Sequence, residues 1–159
     1  MRIWEEKMIK IVMASLVALP AALGCTGATA SDVLKIYESK APFAEVLADL
    51  EDAIVNRGYV VDYHGHVAEM LARTAGDVGA GKVLYREAEF MQFCSATVSR
   101  KAMEADLANI GFCPYVLFAY EAEAAPGTVK VGFRRLPEGE ARDDVNSLLD
   151  DIVREASGN

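Results

Sequence analysis

Two cysteine-centred segments, Phe93-Cys94-Ser95-Ala96 and Phe112-Cys113-Pro114-Tyr115, carry the residue types best suited to chemistry in this chain. Several chemistries fit them. A disulfide between Cys94 and Cys113 would close a loop of about twenty residues and stabilise the fold by about 3 kcal/mol. Two buried thiols would instead act as small apolar side chains. A redox role would make Cys94 the nucleophile, its thiolate favoured by the free N–H groups of a following helix, and Cys113 the resolving residue. Spacing counts against that role, because redox carriers hold a tight C-x-x-C pair and eighteen residues separate these two. The residues that would line a ligand site here are Cys94, Ser95, Arg100, Cys113, Pro114 and Tyr115. Arg100 would support an anion or a thiolate, or would simply be a surface charge.

A Cys-Pro step also occurs where a thiolate ligates haem, so Cys113-Pro114 raises a haem alternative on the strength of one dipeptide. For a transition metal the further candidates are His64 and His66, which share one face if they lie on a strand. In a meander they would sit at least about 15 Å from Cys94, too far for a joint site. The default for both is solvation or hydrogen bonding. Gly79-Ala80-Gly81-Lys82 lacks the glycine spacing and the following Ser or Thr of a phosphate loop. Neither a Ser-His-Asp order nor a dinucleotide fingerprint is present, so hydrolase and dehydrogenase readings have little support. Met91, Met103, Phe90, Phe93, Phe112, Phe118 and Tyr120 are read as core.

The compartment follows from the first thirty residues. Lys7 and Lys10 precede an apolar run from Ile11 to Leu23, and Ala28-Thr29-Ala30 offers small side chains for cleavage before Ser31. This pattern predicts a signal peptide and a periplasmic protein. Ala22-Leu23-Gly24-Cys25 is a lipoprotein alternative with acylation at Cys25, although such signals usually want leucine where Ala22 stands. Thirteen apolar residues fall short of the ~20 needed to span a bilayer, so no stable membrane insertion is expected after cleavage.

Cleavage after Ala30 leaves 129 of 159 residues, enough for one domain. The chain's net charge is −8; losing Arg2, Lys7, Lys10, Glu5 and Glu6 takes away three positive and two negative charges, leaving −9. An acidic protein without a basic cluster repels phosphate backbones, so nucleic acid is not an expected partner. Only Cys94 and Cys113 remain after cleavage, in a compartment where disulfides persist.

The elements that must position these residues are read from periodicity. Val33 to Glu38 predicts a strand, and Pro42 opens a helix whose stripe is Phe43, Val46, Leu47, Leu50 and Ile54, ended by Gly58. Tyr59 to Val67 predicts a second strand, Val67 to Thr74 a short helix, and Ala88 to Cys94 a third strand. A short helix follows from about Ser99 to Asn109, with Thr97 or Ser99 as its cap. Tyr115 to Glu121 is apolar at almost every position, so both faces of that fourth strand should be covered, centrally in a sheet or at a subunit contact. Val129, Val131 and Phe133 alternate with polar or small residues as a fifth strand does. Val145, Leu148, Leu149, Ile152 and Val153 stripe a final helix.

The expected fold class is therefore α+β, a two-layer sandwich of order β-α-β-β-β-β-α. Its sheet is mostly antiparallel, with two long helices on one face and short helical insertions. Antiparallel pairing of the third and fourth strands would bring Cys94 and Cys113 to the same edge.

The run Gln92-Phe93-Cys94-Ser95-Ala96, Ser99-Arg100-Lys101, Glu104-Ala105-Asp106 and Asn109-Ile110-Gly111-Phe112-Cys113-Pro114-Tyr115 resembles the bacterial domain of unknown function 302 family. It is most similar to the exported, two-cysteine branch, and the likeness extends over nearly the whole mature chain. One departure is Leu107, where a proline is expected after the acidic residue. The resemblance implies a two-layer α+β domain, a homodimer, and a setting near sulfur-compound oxidation. It implies no activity. The functional expectation is thus an exported, non-catalytic binding or accessory protein, with a small sulfur-containing ligand or a periplasmic redox protein as partner. The alternatives are a thiol redox protein using Cys94 and Cys113, or a haem- or metal-binding protein.

Overall fold

The computed structural model describes residues 33–159, so the expected signal peptide, its cleavage position and Cys25 lie outside the described residues. Strands β1 (Leu34–Ser39), β2 (Tyr63–His66), β3 (Tyr85–Phe93), β4 (Tyr115–Ala122) and β5 (Val129–Arg134) form one antiparallel sheet of order β1-β5-β4-β3-β2. The helices are α1 (Phe43–Val55), α2 (Val67–Thr74), α3 (Ala96–Ala105) and α4 (Glu140–Ser157), with a 3-10 segment at Leu107–Phe112. This is the α+β two-layer architecture that the periodicities predict.

The core lies between one sheet face and the two long helices. Val46, Leu50 and Ile54 of α1 and Val145, Leu149 and Ile152 of α4 are fully buried against Met91, Phe93, Leu117, Val131 and Phe133. The i, i+4, i+8 spacing on α1 is what puts one stripe toward the sheet. Helix α4 ends at Gly158, whose φ of 72° is the left-handed cap that glycine adopts without a Cβ penalty. Polar contacts pin the layers in register: Tyr37 donates to Asp150 at 2.8 Å and Lys35 donates to the same carboxylate at 3.0 Å, joining β1 to α4.

Several expectations need correction. The second strand starts only at Tyr63: the Asp62 N–H still donates to the Gln92 carbonyl at 2.8 Å, but β3 ends at Phe93, so Tyr59 to Val61 lie beyond the end of their partner strand. Tyr59 instead stacks on Phe93, with ring centroids 5.3 Å apart, and closes the end of the core. Strand β3 begins at Tyr85, three residues early, with a register shift between Tyr85 and Glu87. Helix α3 starts at Ala96, so Thr97 and Ser99 lie inside it, and it stops before Asp106. Asp106 is extended, and its carboxylate accepts from the Ala108 N–H at 2.9 Å to start the 3-10 segment.

The expectation for β4 is half right. It is the central strand, and Tyr115, Leu117 and Ala119 are buried under the helices. Val116, Phe118 and Tyr120 point to the opposite face, which no helix of the described residues fully covers. That open face carries Ile36, Ala88, Phe90, Val116, Phe118 and Tyr120 around a shallow cleft of about 430 Å³. Two glycines shape it. A Cβ at Gly65 would fall 2.2 Å from the Phe90 ring, and one at Gly132 would fall 2.9 Å from the Phe118 ring. Both rings therefore lie along the sheet rather than standing off it, which leaves the middle of the face flat and apolar, with the Lys130–Glu38 ion pair and Arg134 on its β5 and β1 side.

Candidate functional site

Strands β3 and β4 place the two cysteines. Phe93 pairs with Tyr115, so the residue leaving β3 and the segment entering β4 meet at one sheet edge. Cys94 and Cys113 are disulfide-bonded there, with Cα atoms 6.1 Å apart and a sequence separation of 19. Antiparallel pairing alone accounts for this meeting, as the sequence predicts. Cys113 offers no thiolate to haem iron while its sulfur is bonded to Cys94.

Of the other residues named for this region, Ser95 and Tyr115 lie beneath the bridge and Pro114 lies on the surface. Ser95 precedes α3 and is fully buried, its backbone carbonyl accepting from the Ser99 N–H at 2.9 Å. The Cys113–Pro114 peptide bond is cis. Arg100 projects from the exposed side of α3 and donates to Glu104 at 2.8 Å. Ser99, expected as a helix cap, belongs to this cluster. Its hydroxyl lies 2.8 Å from the Tyr115 hydroxyl and 4.0 Å from Cys113 Sγ, tying α3 to β4 behind the disulfide. Its i+4 relation to Ser95 was the available signal.

Burial pushes the Tyr115 phenol above its ordinary value of 10.0, and the bond to Ser99 works in the opposite direction. The alkaline difference spectrum between wild type and Tyr115→Phe should isolate one phenol whose transition lies above pH 10.0. A difference centred at or below that value would contradict its enclosure under the bridge.

A second cluster sits further along β3. His64 lies opposite Met91 and His66 opposite Glu89. Counting along β3, this puts His66 about 16 Å from Cys94 but His64 only about 10 Å, closer than the meander estimate allows for that residue. The two centres remain separate. Glu89 joins the histidines from the neighbouring strand: its Oε2 lies 2.6 Å from His64 Nε2 and 3.1 Å from His66 Nδ1. Nothing in the strand sequence singles out Glu89 from its polar neighbours Arg86, Glu87 and Gln92, and only the register connects it to His66.

No family model matches the chain, and no curated protein matches it. Among solved structures it is similar to an uncharacterised conserved protein of the domain of unknown function 302 from Bacillus stearothermophilus, at 16% identity and a TM-score of 0.63. The match covers 78% of this chain and 98% of that one. At that identity the likeness establishes the fold, so this chain has the two-layer α+β architecture of a domain of unknown function 302 protein, the family its cysteine segments resemble.

Proposed function

We propose that the protein is an exported, non-catalytic binding module that works as a homodimer, two copies pressing their open sheet faces together. The observation that carries this reading is the flat apolar face of Ile36, Ala88, Phe90, Val116, Phe118 and Tyr120. The cleft is shallow, and the apolar surface runs beyond it. Helix α2 buries none of its residues; its Met70 and Leu71 are exposed, and so are Val83 and Leu84 ahead of β3. So extended a surface suits a macromolecular partner better than a small ligand. A five-strand face measures about 24 Å across at the usual strand spacing and about 20 Å along. With the α2 side added it approaches the ~800 Å² per partner that a stable dimer buries. A two-fold axis would set the same face of each copy against the other, the arrangement that an isologous dimer requires.

The compartment rests on the signal-like N-terminus and on a disulfide that persists in oxidising surroundings. Service to sulfur-compound oxidation rests on the family resemblance alone. A thiol redox function is the second reading, favoured by the position of Cys94 immediately before the Ser95 cap of α3, where helix N–H groups stabilise a thiolate.

Sedimentation velocity on the mature chain should give a dimer at micromolar concentration. Phe118→Glu should weaken it at least about thirtyfold, because each two-fold interface receives the charge twice. Unchanged circular dichroism would show that the variant is folded. A wild-type monomer, or a Phe118→Glu dimer of undiminished affinity, would remove the proposal.

A further inference from the structure

We propose that His64, His66 and Glu89 form a binding site for a divalent transition-metal ion of the zinc class. The three candidate ligand atoms, one from each side chain, lie within 4.8 Å of one another. Two architectural facts bring them together. His64 and His66 are two apart on β2 and so project from one face, and Glu89 is the direct cross-strand neighbour of His66. The imidazole rings stack with centroids 4.8 Å apart, which keeps both nitrogens on the carboxylate side.

The bonding capacity at this cluster is unmet. His64 Nε2 and Glu89 Oε2 are shielded from solvent, yet neither has a hydrogen-bond partner despite their 2.6 Å approach. The three atoms converge, yet no hydrogen bond of acceptable geometry joins His64 Nε2 to the carboxylate. Ligands on a tetrahedral zinc ion stand about 3.4 Å apart, given bonds of about 2.1 Å. Opening the present 2.6 and 3.1 Å contacts by less than about 1 Å, and closing the nitrogen–nitrogen separation from its limit of 4.8 Å by up to about 1.4 Å, reaches that spacing.

The donor set selects the ion. Two imidazoles and one carboxylate suit zinc, copper or iron, whereas magnesium and calcium prefer oxygen ligands throughout. Two neutral imidazoles with one carboxylate carry a single negative charge, and the acidic chain further favours cation approach. Three protein donors leave the fourth tetrahedral position to water, and His66 is 54% exposed, so that position opens toward solvent. The arrangement fits an exchangeable ion rather than one sealed into the core.

Isothermal titration of chelator-treated mature chain with zinc chloride should show one saturable equivalent per chain. Cobalt(II) at the same site should give a visible absorption band of low-symmetry coordination. Glu89→Gln should weaken zinc binding by at least about tenfold, the lower end of the loss seen even for residues one step removed from an ion. His66→Asn, at an exposed edge position, should do the same with the fold intact. A simple ion pair between Glu89 and a protonated histidine predicts no saturable zinc binding, and that result would overturn the site. So would binding that either variant leaves unchanged. The dimer measured by sedimentation is independent of these outcomes.

Discussion

Phe93→Ala is expected to lower the stability of the domain by about 4 kcal/mol, the usual cost of emptying a buried aromatic position. Phe93 has no exposed surface, and it stacks on Tyr59 while meeting Tyr115 edge-on at 5.9 Å. Its loss would detach the segment after Gly58 from the core and loosen the support under Tyr115. A domain of this size has about 5–15 kcal/mol in all, so the variant should sit near the edge of folding. Chemical denaturation with an unchanged slope is the check. The neighbouring Phe90 is the control, because it lies on the open face rather than in the core. Phe90→Ala should leave monomer stability closer to wild type and act on association. Equal destabilisation by both substitutions would mean that the two sheet faces do not differ as described.

Removing the bridge by Cys94→Ala with Cys113→Ala should cost about 3 kcal/mol, from the entropy regained by an unfolded loop of this length. The melting temperature should fall by roughly 10 °C for a domain of this size. The bridge ties the end of β3 to the start of β4, whose register is already set by eight residue pairs. Dimerisation by the open face should therefore survive its loss. A structural bridge should also resist glutathione, with a reduction potential below about −300 mV. A potential in the range of thiol oxidoreductases, together with little change in melting temperature, would favour the redox reading instead.

Which features could be read from the chain follows from what each depends on. The α1 and α4 stripes depend on local periodicity, and every residue of both stripes is buried or packed against the core. The cysteine bridge was legible too, because antiparallel pairing of consecutive strands is the simplest topology for the run Ala88 to Glu121. The extent of β2 was not. Tyr59, Val60 and Val61 have strand-like side chains, but β3 ends at Phe93 and leaves them no partner. The start of the helix after Cys94 is not legible locally, because Ser99 resembles a cap whereas its hydroxyl is committed to Tyr115 across the fold. Glu89 shows the same limit, since its neighbours His64 and His66 arrive through register rather than sequence proximity. The near-continuous apolar run of β4 calls for cover on both faces, within a sheet or at a subunit contact, and the helices of the described residues supply it on one. That difference is the origin of the proposed dimer.

The most direct test of that proposal is an isotope-filtered nuclear Overhauser measurement on a one-to-one mixture of labelled and unlabelled mature chains. Contacts between copies should run from the methyl groups of Ile36 and Val116 to the rings of Phe90, Phe118 and Tyr120. Their absence in a sample shown to be dimeric, or contacts confined to the helical face, would contradict the assignment of the open sheet face as the binding surface.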